Sequence, residues 1–433
     1  MKKICFYFLL LVLGPWSTVP GPLLARIYIP IDQPSDKKLP MAITRLVNNG
    51  GAGREAETIP AIIQNDLEIS SYFQFIPPEA FLESEDSNAV TAEAINFDLW
   101  TAIEAQALIK GSVEKAKGRV TVELRLFDPF LKQLLVGKQY RGSEKDLRAM
   151  AHRFSDEVML ALTGILGPFN SKITYTAPSK RGNKTIHVMD YDGFNDFQIT
   201  HPKTISLGSK FSPDGSRVAF TSYASGTPEI YIAELGGRVK QITANGATNI
   251  TPAFSPDGGT IIFSSSVKGD PDIWIMNTAG RMIAQLTNVY GVDISPLFSP
   301  DGSRILFSSE RVGNLHVQTM DPSGGNITRL TFVGKFNDTP AFSPDGTKIA
   351  FCGRDMEGFF DIFVMNADGS YIQRLTRGDG DNTHPSWSAD GRFITFASSR
   401  AGEAVYIMRF DGENPAQVSK GFGSLPWWGP RLP

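Results

Sequence analysis

Five aspartates at regular spacing are the residues of this chain with the clearest capacity for chemistry. Asp214, Asp257, Asp301 and Asp345 stand in Phe-Ser-Pro-Asp-Gly sequences, and Asp390 stands in Trp-Ser-Ala-Asp-Gly. Repeated Asp-Gly loops could bind calcium, which takes about six to eight oxygen ligands around one point. Each of these aspartates is alone in its own turn, so the pattern favours structural turns over metal loops.

Other patterns that would support catalysis are weak in this sequence. A Gly-rich loop at 50–53 precedes a predicted helix, but it lacks both the Gly-Lys-Ser/Thr ending and the G-x-G-x-x-G spacing of nucleotide sites. The five histidines show no metal-ligand spacing, and no G-x-S-x-G nucleophile motif occurs. His152 is predicted on the exposed side of a long helix. The sequence therefore predicts no catalytic residue, no metal site and no cofactor.

The aromatic-Asp-Gly motifs recur at steps of 43, 44, 44 and 45 residues. A fixed period in this range is typical of repeat proteins in which each unit is one small sheet. Each unit contains four short strand patterns separated by turn signals, and the fourth ends in a pair such as Leu286-Thr287. Such units are the blades of a β-propeller, which pack in a ring because one blade cannot bury its own faces.

The number of blades follows from the pairs that end the fourth strands. Six such pairs occur against five aromatic-Asp-Gly turns. Residues 173–200 contain three strand patterns without an opening strand, and residues 425–428 form an opening strand alone. We therefore predict a six-bladed β-propeller over residues 166–433, closed by the C-terminal strand and thus without open sheet edges.

The segment before the repeats has a different organisation. Residues 26–165 alternate strand and helix patterns without a repeat, which predicts a small α/β domain. Residues 1–25 resemble a signal peptide, because Lys2 and Lys3 precede an apolar run of ten residues at 4–13. That run is too short to span a bilayer, which needs about 20 residues. We expect an exported, soluble protein that does not span the membrane.

Net charge and cysteine content argue against nucleic-acid binding and against an intrachain disulfide. Without residues 1–25 the formal charge is −5, and no basic run suggests nucleic-acid binding. Cys352 is then the only cysteine, so no intrachain disulfide can form. It occupies the strand position that Ser264 and Ser308 hold in other repeats, which favours a small buried residue over a reactive thiol.

Polar residues precede each aromatic turn and would enter the innermost strands of successive blades. In a propeller these segments surround one mouth of the central channel, where concave surfaces favour ligands. We therefore predict a partner-binding surface there, although local turn bonds would also explain Asn and Thr. The predicted residues are Thr248, Asn249, Ile250, Thr251, Asp293, Ile294, Ser295, Asn337, Asp338, Thr339, Asn382, Thr383 and His384.

In these motifs the chain resembles the TolB family, the propeller proteins of the Tol–Pal envelope system. The resemblance covers nearly the whole chain and rests on the Pro-x-Phe-Ser-Pro-Asp-Gly repeats, the preceding α/β domain, residues 155–164 and 190–195, and the aromatic, Pro-rich C-terminus. Two departures affect local contacts. The loop 248–251 lacks a histidine found in some members, and Trp-Trp-Gly-Pro at 427–430 replaces the more usual Ala-Trp-Ser-Pro.

The resemblance implies a periplasmic, non-enzymatic, monomeric protein that supports outer-membrane integrity and invagination during cell division. It implies that the lipoprotein Pal binds at the propeller mouth, with residues 248–251 and 293–295 matching the Pal-contact loops, and that TolA binds an N-terminal strand. Other outer-membrane proteins are further candidate partners. The implied strand, which could switch between its own domain and a partner, comprises Arg26, Ile27, Tyr28, Ile29, Pro30, Ile31, Asp32 and Gln33.

Two other functions stay open from the sequence. A small-ligand or hydrolytic propeller would need acids or histidines converging from the innermost strands into the channel. The innermost positions Ala253, Leu297 and Ala341 argue against that convergence. A scaffold without any switch is the third interpretation.

Overall fold

The computed structural model describes residues 38–84, 87–201, 203–332, 334–354 and 358–432. They form an α/β domain followed by a six-bladed β-propeller, which confirms the predicted fold class. The predicted signal peptide, 1–25, and the switch strand, 26–33, lie outside the described residues. No helix in the described part of the chain is long and apolar enough to cross a membrane.

The α/β domain is built on one mixed sheet with the strand order β3-β1-β4-β5-β6, and β2 pairs with β4. Two long helices pack on one face, and a short helix packs on the other. The elements are β1 (Leu39–Ile43), β2 (Val47–Asn48), α1 (Gly53–Ile69), β3 (Phe73–Phe75), α2 (Phe97–Thr101), β4 (Ala107–Ala116), β5 (Arg119–Asp128), β6 (Gln133–Gly142) and α3 (Leu147–Thr163).

Local sequence explains these elements. The alternation of buried residues along β5 places Val120, Val122 and Leu124 against the long helices. Helix α3 ends at Gly164, whose left-handed φ of 76° stops the helix without a Cβ clash. The Gly-rich loop closes on itself, because the Asn48 Oδ1 atom accepts hydrogen bonds from the backbone N–H groups of Gly50 and Ala52.

Six four-stranded antiparallel sheets form the propeller. Blade 1 combines the last strand of the chain with three early ones: β30 (Ser424–Arg431), β7 (Ser171–Pro178), β8 (Lys184–Asp190) and β9 (Phe197–Gln198). The strands of the other blades are given from the innermost to the outermost. Blade 2 comprises β10 (Ser206–Phe211), β11 (Arg217–Ser222), β12 (Glu229–Glu234) and β13 (Val239–Gln241), and blade 3 comprises β14 (Asn249–Phe254), β15 (Thr260–Ser265), β16 (Asp272–Asn277) and β17 (Met282–Gln285). Blade 4 comprises β18 (Asp293–Phe298), β19 (Ile305–Ser309), β20 (His316–Met320) and β21 (Thr328–Arg329), blade 5 comprises β22 (Phe336–Phe342), β23 (Lys348–Arg354), β24 (Phe360–Asn366) and β25 (Gln373–Arg374), and blade 6 comprises β26 (Asn382–Trp387), β27 (Phe393–Ser398), β28 (Ala404–Arg409) and β29 (Ala416–Gln417).

The ring closes where β30 pairs with β7, as the count of strand patterns predicted. Trp428 is buried at this closure, where its indole Nε1–H donates to Ser171 Oγ over 2.7 Å. Its ring stacks between Tyr191 and Phe393, with both centroid distances at 6.2 Å. The closing strand is therefore part of the hydrophobic core rather than a loose end.

The repeated motifs make the same hydrogen bonds in successive blades. In the Ser-Pro-Asp-Gly turn at 255–258, the Ser255 hydroxyl donates to Asp257 Oδ1, which also accepts from the Gly259 N–H. The threonine of each Leu-Thr pair accepts a backbone N–H from the third strand, as Thr287 does from Ile273. The aspartates are thus engaged in turn structure, as the sequence favoured. Cys352 is buried, which raises the pKa of its thiol to about 12.

Candidate functional site at the propeller mouth and channel

The propeller has two unlike ends. The Ser-Pro-Asp-Gly turns lie at one end, which we name the turn end, and the α/β domain packs there against blades 1 and 6. Arg392, just after the turn of blade 6, donates from Nη2 to Thr163 Oγ1 over 2.8 Å, and Asn414 donates to Ser71 Oγ over 2.8 Å. The innermost strands begin at the opposite end, which we name the mouth. Within the described residues the α/β domain packs at the turn end and leaves the mouth uncovered.

Every innermost strand carries one residue in the left-handed region. The six residues have φ between 51° and 59°, and in each strand the pairing register shifts next to that residue. Such a bulge turns the strand and re-aims neighbouring side chains. A positive φ is unusual for a residue other than glycine and is strained for β-branched threonine, and such strain clusters at functional sites. The six residues are Gly208, Thr251, Ser295, Thr339, His384 and Leu425.

This ring of left-handed residues surrounds a cavity of ≈ 180 Å³ in the channel. Proline follows the left-handed residue in five of the six strands, at 252, 296, 340, 385 and 426. Most of the described lining therefore consists of proline rings and small side chains, and Ile294, Leu425 and Trp427 add larger apolar groups. Small residues at the innermost positions leave the channel open rather than filled.

Three ionisable side chains from three blades reach this cavity: Lys210, Asp338 and His384. Burial lowers the pKa of Lys210 to about 8, although the Asp338 carboxylate raises it in part. Burial also lowers the pKa of His384 to about 4, and the Lys210 charge acts in the same direction. The expectation that acids and histidines do not converge in the channel was therefore wrong. It rested on Ala253, Leu297 and Ala341 and did not include the residues that the bulges turn inward.

The predicted mouth residues divide into three groups. One residue at or near the start of each predicted segment is buried, and its hydrogen bonds lie inside the propeller. Asn249 donates to Glu229 Oε2 over 2.8 Å, and Asp293 pairs with the Arg311 guanidinium over 2.8 Å. Thr251, Ile294, Ser295, Asp338, Thr339 and His384 instead line the cavity, whereas Thr248, Ile250 and Thr383 are half-buried beside it. The buried residues are Asn249, Asp293, Asn337 and Asn382.

Two exposed aromatic residues at the mouth were not predicted from the sequence. Tyr290 is 95% exposed in the loop that enters blade 4, and Phe332 is 69% exposed in the loop that enters blade 5. We name this pair the rim aromatics. The loops between the second and third strands open on the same end and expose Tyr223, Val312 and Phe359. The available signal was an aromatic residue shortly after a Leu-Thr pair, where turn chemistry calls for polar residues.

Comparison with known proteins agrees with this architecture. The sequence profile described as "TolB beta propeller domain" matches residues 159–357 and 335–425, and that described as "TolB amino-terminal domain" matches residues 27–135. The chain belongs to the TolB family. Together the matched segments cover both domains of the structure.

Individual relatives of this TolB-family chain carry the same name. "Tol-Pal system protein TolB" of Desulfosudis oleivorans is 36% identical over 56% of this chain and 56% of the relative, and that of Syntrophotalea carbinolica is 38% identical over 44% of each. The chain thus spans about half the length of the curated relatives it matches. The crystal structure of TolB from Acinetobacter baumannii superposes with a TM-score of 0.79 at 26% identity, over 91% of this chain and 97% of that one.

A second polar cluster joins the two domains of this TolB-family chain. His152 is buried on α3, contrary to the predicted exposure, because the first blade packs over that face of the helix. Its Nδ1 atom lies 2.9 Å from Asp66 Oδ2, and the Tyr191 hydroxyl of blade 1 donates to Asp66 Oδ1 over 2.6 Å. Arg148 hydrogen-bonds Asp192 of the same blade. We name Asp66, Arg148, His152, Tyr191 and Asp192 the interdomain cluster.

The interdomain cluster contains three potential metal ligands. One ligand atom each from Asp66, His152 and Asp192 lies within 4.8 Å of the others. The carboxylates are already engaged, because Tyr191 donates to Asp66 and the Arg148 guanidinium neutralises Asp192. A buried charge that is paired and hydrogen-bonded needs no further partner. The arrangement is therefore accounted for as the contact that fixes the two domains.

The contribution of His152 to stability is expected to depend on pH. Burial lowers the pKa of His152, but the Asp66 and Asp192 carboxylates together more than offset this and raise the pKa above its ordinary value. A raised histidine pKa stabilises the fold below about pH 6.5, and that gain is lost as pH rises through the folded value. We therefore expect the difference in unfolding free energy between the native chain and His152→Gln to shrink as pH rises above about 6.5. Urea unfolding at each pH would measure the difference, and a constant or growing value would contradict the assignment.

Proposed function

We propose that this TolB-family chain is a non-enzymatic component of a Tol–Pal system in the periplasm. In this proposal it binds the lipoprotein Pal at the propeller mouth and TolA through its N-terminal strand, and it supports outer-membrane integrity and invagination at division. The names of its relatives support the system, and the residues at the mouth support a protein partner there.

The observation that carries the Pal proposal is the pair of rim aromatics. Exposed aromatic side chains beside a recess are the usual anchors of protein interfaces, where a few residues supply most of the binding energy. Tyr290 and Phe332 lie in loops that enter neighbouring blades, and they flank a channel whose lining is mostly apolar. In the part of the chain that the structure describes, the α/β domain packs on the opposite end, which leaves the mouth accessible to a folded partner.

Lys38, the first described residue, lines a groove of ≈ 330 Å³ between the domains, together with Ser71, Phe393 and Asn414. The strand proposed to bind TolA, residues 26–33, precedes Lys38 in the sequence. If Pal and TolA favour opposite states of that strand, each partner changes the affinity of the other by the same factor.

Substitution of the rim aromatics is expected to weaken Pal binding about tenfold or more for each residue. Tyr290→Ser and Phe332→Ser would be titrated with Pal from the same organism by calorimetry. Tyr371→Ser is the matched control, since Tyr371 is 85% exposed but lies in a turn-end hairpin of blade 5. Equal affinities for all three variants would reject the mouth as the Pal site.

Deletion of residues 26–37 tests the switch separately from the partner. We expect the deleted chain to lose TolA binding and to bind Pal with a changed affinity. Tight Pal binding that ignores the deletion would keep Pal as a partner and discard the switch at that interface. Limited proteolysis of residues 26–37 with and without Pal gives a second test, because identical cleavage in both cases is incompatible with coupling.

A further inference from the structure

Opposite charges face each other across the channel cavity without contact. Lys210 lies on the innermost strand of blade 2, and Asp338 lies on that of blade 5, which is opposite in a six-membered ring. Both side chains line the same ≈ 180 Å³ cavity. Within the described residues neither forms an ion pair at 4.0 Å or less. The Asp338 carboxylate nevertheless acts to raise the pKa of Lys210, and the Lys210 charge acts to lower the pKa of His384. The two charges therefore leave a gap between them.

The remaining contacts of both groups leave hydrogen-bonding capacity unused. Asp338 Oδ1 accepts only the neighbouring Thr339 N–H, among the bonds of the described residues. The Lys210 ammonium lies 4.9 Å from the centre of the Trp427 ring and donates no hydrogen bond to the part of the chain that the structure describes. A buried or half-buried charge without a polar partner is costly, so the cavity favours a ligand that supplies such partners.

We propose that the channel binds a small zwitterion, namely an α-amino acid with an apolar side chain. Its carboxylate pairs with Lys210, its ammonium pairs with Asp338, and its side chain lies against Trp427, Leu425 and Ile294. This activity goes beyond the binding of Pal and TolA and does not depend on either.

Charge and size both select this ligand class. An anion without an ammonium is attracted by Lys210 but repelled by Asp338, and a cation without a carboxylate meets the reverse. A molecule with both charges satisfies both groups at once, through charge-assisted hydrogen bonds. An engineered cavity of about 150 Å³ holds one benzene molecule, so ≈ 180 Å³ suits a small amino acid rather than a longer peptide.

The test uses the chain with both domains and three probes that share one side chain and differ in their charged groups. L-leucine carries both charges, 4-methylpentanoate lacks the ammonium, and L-leucinamide lacks the carboxylate. We expect saturable calorimetric binding of L-leucine and an affinity lower by about tenfold or more for each single-charge probe. Because these comparisons use the native chain, they do not depend on whether any variant folds.

Two substitutions test whether Lys210 and Asp338 bind the charged groups of the ligand. Lys210→Met and Asp338→Asn should each weaken L-leucine binding by about tenfold or more, whereas Lys240→Met should not. Lys240 is the matched control, because it lies exposed on the outermost strand of the same blade. The proposal is overturned if no probe binds, if a single-charge probe binds as well as L-leucine, or if the Lys210 and Asp338 variants behave like the Lys240 variant.

Discussion

Removal of residues 424–432 is expected to abolish cooperative folding of the propeller. The deletion removes β30, which is the innermost strand of blade 1 and the only partner of the inner edge of β7 within the described residues. It would expose the backbone edge of β7 together with the apolar faces of blades 1 and 6. Circular dichroism during urea titration should show loss of the sigmoidal transition.

A single substitution measures how much the ring closure contributes to stability. Trp428→Ala removes a 3% exposed ring that contacts Tyr191 and Phe393, so it should cost about 3–5 kcal/mol of unfolding free energy. Trp274→Ala in blade 3 is the control, because that indole is only half-buried and lies away from the closure. A smaller loss for Trp428→Ala than for Trp274→Ala would mean that the closure contributes little.

The architecture could be predicted because its signals are local. Each Ser-Pro-Asp-Gly turn is defined by residues within five positions of one another. Hydrogen bonds join these residues within the same turn, as in residues 255–260. Closure of the ring could be predicted by counting strands, because residues 173–200 lack an opening strand and residues 425–428 form an opening strand alone. The long helix α3 also ends at Gly164 as expected, since a left-handed residue is a strong stop signal.

The channel was harder to predict because it depends on a break in strand periodicity. Simple alternation assigns residues to two faces of a sheet, but the left-handed residues shift the register within each innermost strand. Asp338 and His384 were predicted as mouth residues, yet their convergence with Lys210 from blade 2 was missed. Only the proline after the left-handed residue marks these bulges in the sequence, and proline has many other uses.

His152 shows a different limit of sequence reasoning. Helical periodicity gives the face that packs on the sheet of the same domain, and on that basis His152 should face solvent. In the structure the first blade covers this second face, with Tyr191 of blade 1 lying edge-on to His152 at a centroid distance of 5.5 Å. Burial by a second domain leaves no local pattern, so it can only be found in the assembled structure.

Loss of the Asp66 carboxylate is expected to be the most damaging single change at the junction of the domains. Asp66 is completely buried and accepts hydrogen bonds from both His152 and Tyr191, which belong to different domains. Removing one partner of a buried charged pair leaves the other uncompensated, which costs about 3–5 kcal/mol. Asp66→Ala should therefore destabilise the chain by that amount, as measured by urea unfolding.

The matched control for Asp66 is another aspartate paired with a histidine. Asp196 lies 3.2 Å from His187 Nδ1, but its side chain is 37% exposed. Asp196→Ala should cost about 1 kcal/mol or less, because solvent screens the exposed pair. Limited proteolysis would locate the damage: Asp66→Ala should speed cleavage between Gly164 and Ser171, where the domains join, while the propeller itself stays resistant. Equal effects of the two substitutions would show that burial at the domain junction adds nothing, and the interdomain cluster would then be an ordinary surface contact.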